Sequence, residues 1–325
     1  MDDFVICARK VEKNRFVSEP GPSLFLQVPN DKLPSPAHAV KVDVWVKRLR
    51  KQAVWGVDER TGGERGDALI FIHGYNNSQA IVMQRHRQLQ QDLRTAGFKG
   101  AIVSFDWPSA DMTLNYLEDR HDAKHTAMQL VDDGIRVLAK EQTPGCTINT
   151  HLLAHSTGAY VVREAFDDAD DASLAQSGWL VSQIAFIGAD VSSGSMSAQN
   201  SSTESLYRHC IRLTNYSNDC DSVLKISNAK RIGMAPRVGR IGLPDDAASK
   251  AVNVDCTDYF KVMERDPAVR AQDQVIEIGA FSHSWHIGNR VFAADLFETL
   301  RGDRDRYAMT TREEGPSGRL RLKRP

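Results

Sequence analysis

Leu152-Leu-Ala-His-Ser156-Thr-Gly158-Ala-Tyr160 is the stretch on which the reading of this chain turns. An apolar run of the kind buried in a sheet ends in a serine, and a helical pattern opens directly after it. The nucleophile elbow G-x-S-x-G places its serine on such a strained strand-to-helix turn, with small flanks that let neighbouring backbones approach. Ala154 stands at the first glycine position and Gly158 keeps the second. The turn also puts Ser156 at a helix N-terminus, where open N–H groups and the helix dipole favour a developing negative charge. A serine that merely caps its helix is the plainer account.

Strand-like and helix-like stretches alternate on both sides of this segment. Ala68 to Ile72 is a short apolar run expected of a strand buried on both faces. Ser78 to Ala96 carries Val82, Leu89, Leu93 and Ala96 at helical spacing and stops at Gly97. Ala101 to Phe105 reads as a strand, Asp119 to Lys140 as a helix with Ala123, Ala127, Leu130, Gly134 and Leu138 on one face, and Thr147 to Ala154 as the strand before the elbow. A helix through Phe166 follows, and Trp179 to Ala189, His209 to Tyr216 and Gln274 to Ala280 supply three more strand candidates. This alternation predicts an α/β fold, a mostly parallel sheet wrapped by helices.

Ahead of that body, Ser23 to Val28 and Val40 to Val46 read as strands, the second because its valines alternate with Lys41, Asp43 and Trp45. The expected organisation is therefore N-terminal strands in residues 1–66, a main body in 67–302 and a basic tail in 303–325, whose last eight residues read as frayed. Val191 to Ser205 and Asn228 to Ala271 break the rhythm and are candidates for lid insertions.

Composition excludes several function classes. Lys+Arg 41 against Asp+Glu 42 lacks the basic bias of a dedicated nucleic-acid binder. No apolar stretch approaches the roughly 18–20 residues of a membrane helix. The acidic start Met-Asp-Asp-Phe is unlike a secretory signal, so the expected compartment is the cytoplasm. Five scattered cysteines without a C-x-x-C pair fit free thiols better than a disulfide framework or a zinc site.

A second segment, Leu69-Ile-Phe-Ile-His73-Gly74-Tyr75-Asn76-Asn77, ends another buried strand. Its glycine lets a main-chain amide face a cleft. The N–H of Thr157, after the serine, and one from this loop, with Tyr75 the expected owner, would bind an oxyanion; the Tyr75 phenol is the alternative donor. An activated serine also needs a base and an orienting acid, which follow it in this kind of fold in the order Ser, Asp/Glu, His. His209, His283 and His286 remain downstream. His209 begins a strand and reads as structural. His283 follows the last strand candidate and is preferred over His286 for that position. Tyr216-Ser-Asn-Asp219-Cys-Asp221-Ser-Val-Leu224 offers two acids. Asp221 is preferred because Val223 and Leu224 would anchor its loop, with Asp219 and Asp190 as alternatives. Asp106 sits at another strand end and reads as loop structure with a share in the cleft wall.

At these residues the chain resembles the α/β-hydrolases, and most of all a bacterial subgroup of unknown function. The matching pieces are Phe71-Ile-His-Gly-Tyr-Asn76, Ser104-Phe-Asp-Trp-Pro-Ser109, Leu153-Ala-His-Ser-Thr-Gly158, Asn218-Asp-Cys-Asp-Ser-Val-Leu224 and Ser282-His-Ser-Trp285, spread over most of the chain. The resemblance implies an eight-stranded type of sheet, a Ser156–Asp221–His283 triad and no cofactor. The subgroup usually carries Met or a similar residue after the serine, where this chain has Thr157. The expected activity is cleavage of a small-molecule or lipid-like carboxylic ester by a serine hydrolase. A thioesterase, an amidase or peptidase, or an interaction protein with a decayed site are the other readings, since fold alone does not fix function.

Overall fold

The computed structural model describes residues 2–109, 126–139, 146–171, 179–229, 235–315 and 318–324. Consecutive residues of the central strands feed opposite faces of one sheet. In β4 (Glu64–Ile72), Ala68, Ile70 and Ile72 pack into one apolar cluster while Leu69 and Phe71 pack into another. Leu152 and Ala154 divide from Leu153 in the same way on β6 (Cys146–His155). A run buried on both faces is what a parallel sheet covered by helices requires.

The eleven described strands form a single sheet. At one rim β1 (Asp3–Glu12) and β2 (Arg15–Val28) make an antiparallel hairpin, and β1 joins β5 (Ala101–Asp106) in parallel. The order continues through β4, β6, β7 (Val181–Ile187), β8 (Cys210–Ser217) and β9 (Ala251–Asp255), all parallel. The far rim is β11 (Leu320–Leu322), parallel to β9, with β10 (Arg312–Glu314) antiparallel beyond it. β3 (Val54–Val57) pairs with the start of β4. The sheet is thus wider than the eight-stranded expectation, extended by the long β1–β2 hairpin at one rim and by the short β11 and β10 at the other.

Helix Gln79–Ala96 begins on the side-chain cap of Ser78 and ends at Gly97 in the left-handed region, as its punctuation predicts. Helix Thr157–Asp171 follows the elbow, and Arg290–Arg301 carries the apolar positions Val291, Phe292, Leu296 and Leu300 into the core. The 126–139 segment is helical, with π turns over Leu130–Ile135, and buries Ala127, Leu130 and Leu138; Asp119 and Ala123 of the predicted helix lie outside the described residues.

Four expectations need correction. Val42–Ala53 is a helix, not the continuation of a strand: it buries Trp45, Leu49 and Ala53 at i, i+4 and i+8 and leaves Val42 exposed. Gln274–Ala280 is irregular, tied by one isolated bridge from Gln274 to Asn289, with Val275 exposed. The C-terminal segment is not frayed there, because Leu320 and Leu322 are buried in β11. Within Asn228–Ala271, β9 and helix Thr257–Arg265 belong to the sheet and its cover. In the other lid candidate, Ser193 Oγ donates to the Gly242 carbonyl, and Val191 and Met196 are buried.

The C-terminal rim is held by charge. Arg312 reaches both carboxylate oxygens of Asp295 at 2.7 and 2.8 Å, and Tyr216, Thr311 and Thr299 complete the cluster away from solvent. Removing one member of a buried pair strands the other charge. Arg312→Met is expected to cost about 3–5 kcal/mol in urea denaturation; a loss near zero would mean that Asp295 does not depend on this partner.

Candidate active site

Strand β6 delivers Ser156 at its C-terminal end, and the residue takes φ +56°, a left-handed conformation that costs a non-glycine residue about 1–3 kcal/mol unless its surroundings enforce it. They do so through the main chain. The Ser156 N–H donates to the Ile187 carbonyl at 3.0 Å, and its own carbonyl accepts from Asp190 N–H at 3.0 Å and Ala159 N–H at 3.1 Å. Gly158 is needed for space: a Cβ there would lie 2.5 Å from the Ile72 carbonyl oxygen and 2.7 Å from that of His73. Ala154 fits at the other flank, fully buried between Ile72 of β4 and Phe186 of β7.

The candidate base and acid meet from two other loops. His283 Nδ1 lies 2.7 Å from Asp221 Oδ2, and both side chains are buried. A carboxylate only accepts, so Nδ1 carries the proton and Nε2 is left as the basic nitrogen. Asp221 Oδ1 takes the Leu224 N–H at 2.9 Å; Leu224 is buried, whereas Val223, expected to anchor the loop with it, is exposed. The two loops are joined by Asn218 Nδ2 donating to the Ser282 carbonyl and by the Ser222–Ser282 hydroxyl pair. Gly188, at φ +51°, makes room for the imidazole: a Cβ there would stand 3.1 Å from His283 Cε1 and Nδ1. The end of β7 therefore holds the serine turn with Ile187 and abuts the histidine ring with Gly188.

The remaining candidates separate clearly. Asp219 is exposed and paired with Arg240 at 2.9 Å. His286 is buried on Trp285, with ring centroids 4.1 Å apart, and burial pushes its imidazole well below the usual range. Asp190 gives its N–H to Ser156, while its carboxylate lies 3.1 Å from Arg237 Nε in a buried pair. His209 stacks on Trp179 as a structural residue. Asp106 lines no cleft wall; it is fully buried against Arg9 at 2.8 Å. Burial works to raise its carboxyl, but His73, Arg9 and Gln79 outweigh that and hold it down to about 2. On the oxyanion side, Gly74 lies so close that a Cβ would be 2.6 Å from Ser156 Cβ. Thr157 is the first residue of its helix, where N–H groups lack intrahelical acceptors.

Sequence reading missed a second tier behind the histidine. Arg85 is buried in helix Gln79–Ala96; its Nη1 lies 3.3 Å from His155 Nδ1, and its Nη2 donates to the Ile278 carbonyl and Ser284 Oγ, both at 3.1 Å. His155 in turn lies 3.3 Å from the His283 carbonyl, and burial together with Arg85 drives its imidazole far down. The available signal was the spacing of Arg85 between Val82 and Leu89, a charge on the apolar face of its helix. Among the described residues no group of three or more His, Cys, Asp or Glu could hold a metal ion, and no helix is long and apolar enough to cross a membrane.

The family model described as "Alpha/beta hydrolase of unknown function (DUF900)" matches residues 57–291. No curated protein matches the sequence. Similar solved structures include phospholipase PlaB from Legionella pneumophila, in complex with thio-NAD, at 13% identity and TM-score 0.35, covering 73% of this chain and 62% of that one. An esterase/lipase from an uncultured bacterium is 12% identical with TM-score 0.36 over 84% of this chain and 94% of that one. A cutinase-like protein from Cryptococcus sp. is 13% identical with TM-score 0.28 over 62% of this chain and 78% of that one. The chain thus spans less than two thirds of the length of the Legionella phospholipase.

The contact at Gly188 is directly testable. Gly188→Ala is expected to push the imidazole off Asp221 and abolish the low-field Nδ1 proton resonance of that pair in NMR spectra of the folded variant. An unchanged resonance would mean that the loop yields to the added methyl group.

Proposed function

The chain belongs to this family of α/β-hydrolases of unknown function, and on that premise we propose that it is a serine hydrolase cleaving a carboxylic ester through Ser156, His283 and Asp221. The observation that carries the reading is the buried 2.7 Å contact between His283 and Asp221, packed on the same strand end that fixes the serine turn. In this mechanism His283 Nε2 takes the Ser156 hydroxyl proton as Oγ attacks the ester carbonyl. Asp221 holds the imidazole and stabilises its protonated form. The oxyanion receives the N–H groups of Thr157 and Tyr75, aimed at charge that exists only in the transition state and intermediate. Collapse of the intermediate breaks the carbonyl–alkoxy bond, and the departing alkoxide takes the proton from Nε2. A water molecule then gives its proton to Nε2 and attacks the acyl-enzyme, the acid departs and Oγ recovers its proton.

An ester is the favoured substrate because an alkoxide leaves with less help from a general acid than an amide nitrogen needs. Small-molecule and lipid-like esters both fall within this reading. Thioesters and amides are arms of the same assay.

Labelling with a fluorophosphonate probe, together with hydrolysis of p-nitrophenyl esters from acetyl to palmitoyl, tests the proposal. Ser156→Ala is expected to abolish labelling, and Asp221→Asn to lower kcat about 10⁴-fold, while Asp219→Asn stays within about twofold of wild type, as a surface substitution should. Absence of both labelling and turnover in the folded wild type would overturn it.

A further inference from the structure

The loop after β4 contains an arrangement that nothing in the triad requires. The Asn77 side-chain amide brackets two consecutive carbonyls, with Nδ2 2.7 Å from Gly74 O and 3.0 Å from Tyr75 O. Gly74 O also lies 2.8 Å from His73 Nδ1. A carbonyl only accepts, so His73 carries a proton on Nδ1, and its Nε2 lies 3.2 Å from the Trp107 nitrogen and 3.4 Å from Asp106 Oδ1. Asn77 is itself anchored at both ends of its backbone. Its N–H donates to Ser109 Oγ at 3.2 Å, and its carbonyl accepts from Arg9 Nη2 at 3.0 Å. Arg9 is fixed by its buried pair with Asp106.

These anchors share a direction. Arg9 comes from β1, Asp106 and Trp107 from the end of β5, and Ser109 from the chain just beyond. The sheet order is β6-β4-β5-β1, so all of them lie on the β5 side of β4, whereas Ser156 follows β6 on the other side. In a trans peptide the C=O and the N–H of the next residue point in opposite directions, and no cis peptide bond is found among the described residues. Holding Gly74 O toward His73 and Asn77 therefore turns the Tyr75 N–H away from those two side chains, in a loop whose Gly74 backbone lies against Ser156.

We infer that Asn77 is a positioning residue for the oxyanion site: by clamping the Gly74 and Tyr75 carbonyls on the Arg9–Asp106 foundation, it sets the peptide orientation that aims the Tyr75 amide at the reacting carbonyl. The inference rests on the serine hydrolase reading. It assigns the second donor to the Tyr75 main chain and not to the phenol. Among the described residues the Asn77 hydrogen bonds run to Arg9, Ser109, Gly74 and Tyr75, so its effect passes through the peptide it holds.

The test combines kinetics with crystallography on the full chain. Asn77→Ala, checked for fold by circular dichroism and thermal denaturation, is expected to lower kcat for a p-nitrophenyl ester by about 10²-fold with KM changed less than about threefold. Affinity for a trifluoromethyl ketone, which forms a tetrahedral adduct on the serine, should fall by the same factor as kcat/KM, since both report transition-state binding. Asn77→Ser, with one hydroxyl donor, should recover part of the loss; it also serves as the test variant if Asn77→Ala fails to fold. A folded variant with unchanged kcat and unchanged ketone affinity would overturn the inference. If the wild type neither labels nor turns over, the functional reading fails instead. The orientation claim is then decided by crystal structures of the wild type and the variant: a reoriented Gly74–Tyr75 peptide supports it, and an unmoved one overturns it.

Discussion

The hydrogen bond from Ser156 N–H to the Ile187 carbonyl is the constraint on which the site depends. It joins the end of β6 to the end of β7 where the chain must turn through a left-handed residue. Parallel register makes the bond possible, because Ala154 pairs level with Ile72 on one side and Phe186 on the other, so three strand ends arrive together. The glycines then follow as geometric necessities. Gly74, Gly158 and Gly188 each stand where a methyl group would strike the elbow, the neighbouring strand end or the imidazole. The serine is thus held in a costly conformation by main-chain contacts.

Buried charge in this molecule marks places where distant segments must find one another. Arg9 of β1 meets Asp106 of β5, Asp295 of a helix meets Arg312 of β10, and Arg237 meets Asp190 beside the elbow. Such pairs contribute little net stability against well-packed apolar residues of the same size, since desolvation offsets most of the Coulomb attraction. Their effect here is on register: a strand that slipped would leave a charge buried alone. Arg85 differs in kind. It meets neutral groups in the His155 ring, the Ile278 carbonyl and the Ser284 hydroxyl, and burial pulls its guanidinium down to about 10. Through them it ties the His283 loop to His155, the residue before Ser156.

Much of this was legible in the sequence, for identifiable reasons. The strand–serine–helix stretch and the His73-Gly74 strand end were readable because buried parallel strands are short apolar runs with turn residues at their ends. Of the Val223-Leu224 pair that set Asp221 apart from Asp219 in the sequence, only the leucine is buried, and it lies in the segment that brings Asp221 to His283. Where reading failed, the periodic signal was too short. Four alternating valines from Val40 to Val46 satisfy a strand template as well as a helix start, and only Trp45, Leu49 and Ala53 taken together decide. Leu320-Arg-Leu322 alternates over three residues, too few to distinguish a rim strand from a basic tail. Asn77 left little trace because its side chain bonds main-chain carbonyls, which every residue possesses, and Arg85 left only a charge on an apolar helix face.

The two hairpin rims have a consequence for handling the molecule. β1 and β11 are separated by β5, β4, β6, β7, β8 and β9, and at about 4.8 Å per strand spacing that places them roughly 30–35 Å apart. Dyes attached near the first and last strands would therefore span most of the sheet's breadth, at a separation suited to energy-transfer measurements of its integrity.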